Sequence, residues 1–181
     1  MDLHHSFWPF DPQFYEILYV PRIWRVRTSF VDKFPGLNGL GVSMARANIA
    51  LGGVVPMHTH PGSLEIILIA KGSVIAGLIS SDNTVYLKTL KDEVIMVFPQ
   101  GLLYFHVNTD QTRTLFWVIF CSSNLDLQIL NNALFGNNLP SELIENTTFL
   151  DEMKWRDSRL FLVVLGDSAW QELVNFLSPS H

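Results

Sequence analysis

A single cysteine, Cys121, stands among 181 residues, so no disulfide can close within this stretch, and nothing in the thiol content requires an oxidising compartment. Blocks of like charge are missing too. Twelve basic residues against 17 acidic ones leave a formal charge of −5, and the basic ones are scattered. That excludes the basic stripe with which proteins hold nucleic acid or an anionic membrane surface. The longest apolar runs, such as "EIILIA" and "LFWVIF", fall far short of the roughly 20 residues that cross a bilayer, and read as buried strands. The opening "MDLHHSFWPFDPQFYEILYV" has no basic region followed by a clean apolar run, so it does not read as a secretory leader. There is no internal repeat, low-complexity segment or coiled-coil heptad.

What is present is 48% apolar content in a length suited to one substantial core. Short apolar runs, "GLGVSMARANIAL", "LEIILIAKGSVIAGLIS", "TVYLKTL", "EVIMVFP", "LLYFHVNT" and "RTLFWVIFCSS", alternate with Gly, Pro, Asn and Asp turns. The pattern predicts an all-β sandwich or barrel. After "LQILNNALFG" the texture changes. Pro140 followed by Ser-Glu starts a helix, and "DSAWQELVNFL" repeats apolar residues at helical spacing behind a serine cap. The expected plan is an N-terminal arm over 1–27, a β-barrel over 28–138 and a helical extension over 139–181. "RLFLVVL" and "AWQELVNFL" are more apolar than a solvated tail needs to be, which predicts a homo-oligomer, a dimer or a hexamer. Asn146-Thr147-Thr148 is a glycosylation sequon, relevant if the chain is secreted.

Chemistry concentrates in "HTHPGSLE", residues 58–65. Side chains two apart on a strand share a face, so His58 and His60 enter the barrel while Thr59 points out. Pro61 and Gly62 then turn the chain, and a hairpin returns Glu65 to the same point. Two imidazoles and a carboxylate suit Mn, Fe, Ni or Zn and leave coordination positions open; calcium fits poorly with two nitrogens. A lone histidine on a strand is more often a satisfied polar residue than a ligand, so the wider spacing decides. Gly52, His58, His60, Glu65 and Gly72 reproduce the first cupin motif at every fixed position.

Beyond this motif the sequence resembles the plant germin-like proteins, in particular their auxin-binding branch. The resembling segments are "FVDKFPGLNGLGVSMARANIALGGVVPMHTHPGSLEIILIAKGSVIAGLISSDNTVYLKTL", "VFPQGLLYFHVN" and "LQILNNALFGNNLPSELIENTTFLD", within residues 28–151. The resemblance implies a cupin jelly-roll β-barrel with C-terminal α-helices, a divalent metal that is usually Mn, oligomeric assembly and a place in the apoplast. Relatives of this kind include oxalate oxidases and superoxide dismutases. The chain's own start and its lack of a disulfide leave an intracellular location open.

The departures from the family pattern carry as much information. In the second cupin motif Pro99, Gly101 and Asn108 hold their places, but Tyr104 stands where the fourth ligand histidine belongs and Glu93 where the motif opens with glycine. His106 lies two residues on, on the same face but displaced by roughly 6–7 Å along the strand. The N-terminal cysteine pair of the family is absent. A phenol is a poor ligand for Mn(II) at neutral pH, so the site reads as three-ligand and weakened, or as carrying no metal at all.

Three functional readings follow. In the first, His58, His60 and Glu65 bind a divalent transition metal and the barrel accepts a small plant metabolite. In the second, catalysis is metal-independent proton transfer, an isomerase or cyclase of specialised metabolism, with Tyr104 as donor, His106 as base and Glu65 beside them, and with Tyr104, His106 and Asn108 contacting substrate. In the third, the chain is a non-enzymatic binder of auxin-like acids. The blander alternative is that Tyr104 merely fills the barrel.

Overall fold

The computed structural model describes residues 24–29, 35–123 and 126–150, with 24–29 described for the backbone only. Most of the expected N-terminal arm and the apolar C-terminal segments "RLFLVVL" and "AWQELVNFL" lie outside the described residues. So does the helix expected at "DSAWQELVNFL".

Among the described residues, ten strands form two five-stranded sheets in which every pairing is antiparallel. They are β1 Trp24–Ser29, β2 Ser43–Ile49, β3 Val54–Thr59, β4 Glu65–Lys71, β5 Val74–Ile79, β6 Val85–Leu90, β7 Ile95–Phe98, β8 Leu103–Asn108, β9 Thr114–Phe120 and β10 Gln128–Ile129. One sheet runs β1-β2-β9-β4-β7 and the other β10-β3-β8-β5-β6. The alternation of apolar residues in the sequence is the cause. β2 and β9 both bury every second residue, and β8 buries Tyr104, His106 and Asn108 while its intervening side chains are partly exposed.

The inward faces of the two sheets meet in one core. Ile67, Ile69, Phe116 and Val118 come from the first sheet, and Val74, Ala76 and Tyr104 from the second. Burying each large side chain contributes about 1.5–3 kcal/mol. Gly72, between β4 and β5, is required by space as well as by angle: its φ is +89°, and a Cβ there would meet Thr114 Oγ1 at 2.8 Å.

β10 runs straight into helix α1, Leu130–Phe135, and Pro140 precedes helix α2, Ser141–Thr148. Proline fits there because its fixed φ, here −56°, suits a helix start. Phe135 and Ile144 pack together as a small satellite cluster. Asn146 is exposed on α2. No helix among the described residues is long and apolar enough to cross a membrane.

Two local expectations differ from what is found. β3 and β4 do not pair as a hairpin; they belong to opposite sheets, so "PGSL" is a corner that carries the chain across the sandwich. Thr59 is buried rather than solvent-facing, because β10 pairs with this end of β3 and α1 packs beside it.

Candidate metal centre

The corner between β3 and β4 brings His58 and His60 from one sheet towards Glu65, the first residue of β4 in the other. Each offers a ligand atom, and these atoms all lie within 4.8 Å of one another. They form the one such group of three or more His, Cys, Asp or Glu side chains among the described residues. All three are buried, at 3%, 5% and 3% exposure, so the centre is closed to bulk water.

The tautomers of both histidines are fixed from behind. His58 Nδ1 is 2.7 Å from the carbonyl of Pro56, and His60 Nδ1 is 2.6 Å from that of Asp126. A carbonyl oxygen only accepts, so each Nδ1 carries the proton and each Nε2 of the neutral ring is left with a lone pair. His60 Nε2 lies 3.3 Å from Glu65 Oε2. A lone pair facing a carboxylate oxygen at that distance calls for a proton or a cation to join them. Metal-bound histidines are oriented by just this kind of rear hydrogen bond, and the donor set therefore fits a divalent transition metal.

Electrostatics agree with a charged carboxylate beside a neutral His58. Burial alone would raise the Glu65 carboxyl, but the hydrogen bond from His106, with the neighbouring imidazoles, outweighs it and holds the group well below the usual carboxylate range. Burial pushes the His58 imidazole down from 6.5 to about 4, against the pull of the Glu65 charge. Tyr104 is raised far above an ordinary phenol, first by burial and then by the charge of Glu65, so it stays protonated at any physiological pH.

Tyr104 sits directly opposite His58 in the β3–β8 register. Its hydroxyl donates to Glu65 Oε2 at 3.1 Å, and its ring stacks on Phe98 with centroids 4.5 Å apart and lies 4.4 Å from His58. His106, further along β8, is 3.3 Å from Glu65 Oε1 through Nε2. The structure thus places Tyr104 and His106 around the same carboxylate. Asn108, expected to touch a ligand, is otherwise engaged: its amide Nδ2 lies within hydrogen-bonding distance of the carbonyls of Ile49, Ala50 and Thr112, and its Oδ1 accepts from Asp110 N–H. Sequence reasoning missed Pro56 and Asp126, which act through backbone carbonyls and so leave no side-chain signal.

Comparison with known proteins agrees with this architecture. The Cupin family model matches residues 15–155. Auxin-binding protein ABP19a of Prunus persica is 56% identical over 126 residues, covering 70% of this chain and 60% of that protein. Germin-like protein subfamily 3 member 1 of Arabidopsis thaliana is 53% identical over 126 residues, covering 70% and 61%. The chain thus matches about three fifths of the length of these curated relatives. A recombinant oxalate oxidase solved in complex with glycolate superposes with a TM-score of 0.78 at 26% identity, covering 90% of this chain and 86% of the other. With the two-sheet fold and the first motif already in view, the chain belongs to the cupin family, and within it to the germin-like proteins.

Proposed function

We propose that the chain binds one divalent transition metal, manganese in the first instance, through His58, His60 and Glu65, and that a small acidic metabolite is its ligand or substrate. One observation carries the reading: both histidines are locked by backbone carbonyls in the tautomer that leaves Nε2 free, beside an ionised Glu65. The metal would supply a Lewis-acidic centre with open positions for an oxygen donor. The chain's own part is to orient the three ligands and to keep water out, which the exposures of at most 5% accomplish. The names of the relatives, auxin-binding protein and oxalate oxidase, support an organic acid as the class of small molecule. Likeness to germin-like proteins supports an apoplastic location, and assembly with further copies as a dimer or hexamer belongs to the same proposal. Exposed Val85 and Leu87 on β6 and Ile95 and Val97 on β7 provide apolar surface for such assembly.

A metal-independent reading has one observation in its favour. Glu65 already receives Tyr104 and His106 on its two oxygens, which makes a donor–carboxylate–imidazole network suited to proton transfer in an isomerase or cyclase. Tyr104 would be the proton donor and His106 the base, but a phenol raised so far above its ordinary value gives up its proton reluctantly. The interior beside Tyr104 is, however, filled by Phe98 and His58, so this reading needs side chains to move before a substrate fits.

Elemental analysis of the purified chain after expression with supplemented Mn, Fe, Ni and Zn separates the two. We expect one divalent ion per chain, lost in His58→Ala and raised in occupancy by Tyr104→His. Metal absent under every supplement would end the metal reading; turnover that survives a chelator would establish the other.

A further inference from the structure

The carboxylate of Glu65 receives two donors from β8, and they meet different oxygens. Tyr104 donates to Oε2, the oxygen that also faces His60 Nε2. His106 Nε2 contacts Oε1 at 3.3 Å. An ionised carboxylate only accepts, so this nitrogen carries the proton. The His106 Nδ1 is then a bare acceptor, buried with no hydrogen-bond partner. Its ring lies against Phe98 and Phe116, at centroid distances of 5.1 and 5.5 Å. A histidine with one nitrogen unmet beside two phenylalanines is an unfavourable choice for packing alone. The hydrogen bond that it does make goes to Glu65.

We propose that His106 is a positioning residue for Glu65: by holding Oε1 it turns Oε2 towards His60 Nε2 and so sets the geometry in which a metal is taken up. This rests on the metal reading of the site. Hydrogen bonds one layer behind a ligand typically change metal affinity about 10- to 100-fold. Tyr104 has the opposite sign. Its hydroxyl occupies the oxygen nearest His60, so it competes with an incoming ion rather than supporting it. Two equally buried residues on one strand, both donating to one carboxylate, thus affect metal binding in opposite directions.

The test is a calorimetric titration of Mn(II) and Co(II) into the full metal-free chain, alongside thermal unfolding of each metal-free variant. His106→Leu should weaken binding roughly 10- to 100-fold. His106→Gln, whose amide can place an N–H where Nε2 stood, should stay within about threefold of the wild type, and Tyr104→Phe should bind as tightly or more tightly. Should His106→Leu fail to fold, His106→Asn, polar but too short to reach Oε1, replaces it with the same expected loss. A merely structural role would move the His106→Leu and Tyr104→Phe affinities the same way, in step with their melting temperatures. Undiminished affinity in His106→Leu or His106→Asn overturns the proposal, as does an equal loss in Tyr104→Phe. Wild type and Tyr104→Phe both failing to bind either ion would instead remove the metal reading itself, and this inference with it.

Discussion

Two stretches of the chain, Gly52–Gly72 and Glu93–Asn108, meet at the centre of the sandwich, and they have fared differently. The first keeps its glycines, both histidines and its glutamate. The second keeps Pro99, Gly101 and Asn108 but has tyrosine at 104 and glutamate at 93. The kept residues of the second stretch serve the first. Gly101 N–H donates to the His60 carbonyl at 3.2 Å, and the neighbouring Gln100 side chain donates to the Pro61 carbonyl at 2.6 Å. Asn108 ties its strand to the carbonyls of Ile49 and Ala50, and its N–H donates to Gly53 O. The second stretch has changed a chemical side chain while its backbone N–H groups still hold the first, and Asn108 still holds the residues just before it. Scaffold and chemistry are therefore separable within one motif.

That separation can be broken at its scaffold. Asn108→Ala removes a side chain that serves buried carbonyls on two segments, and should cost roughly 3–5 kcal/mol in urea unfolding, among the larger single-site effects. If Asn108 instead served mainly to contact a ligand, stability would barely change and affinity for the small molecule would fall.

The first stretch carries its own signature in pH. His58 titrates at 6.5 when unfolded and at about 4 when folded. Above 6.5 neither state is protonated there. As pH falls below 6.5 the unfolded chain takes up a proton that the folded one refuses, so stability drops until about pH 4. The total is on the order of 3 kcal/mol in the metal-free chain. Glu65 adds a loss of the same sign, since its folded carboxyl is also depressed, at pH values below the ordinary carboxylate range. Denaturant unfolding at steps between pH 7 and 4 should show the slope, and His58→Gln should flatten it. A wild-type profile level across that window would contradict the buried neutral ring.

The smallest effect lies at the other substituted position. Glu93 has φ of +68°, the left-handed region, at the place where the motif opens with glycine. Its N–H still donates to Ile69 O at 2.8 Å, so the turn has kept its bond at the expense of strain. Glu93→Gly should stabilise by about 1 kcal/mol and leave metal stoichiometry alone. Lower stability in the glycine variant would place the loss in chain flexibility rather than in relieved strain.

The sandwich itself was legible because period-two burial and turn residues are local properties: "TLFWVIF" and "LYFHVN" announce their inward faces residue by residue. The convergence of His58, His60 and Glu65 was legible from spacing in the same way. The sheet assignment of β4 was not, since one Pro-Gly corner serves equally for a hairpin and for a crossing between sheets, and only pairing with β9 and β7 decides. The rear contact on His60 comes from Asp126, 66 residues away, through a carbonyl that every residue possesses. The task of Asn108 was hidden for the same reason: its partners are backbone atoms.

The corner at Pro61 and Gly62 has a consequence for the order of events in folding. The three candidate ligand residues are neighbours in sequence, yet Glu65 belongs to a strand whose partners β7 and β9 lie 30 to 55 residues further on. The candidate ligands are therefore brought together by pairings of long sequence separation, the kind whose closure is slow in folding. An ion binding there would find no cage before those pairings close, and would prolong the lifetime of the finished fold rather than speed the search for it.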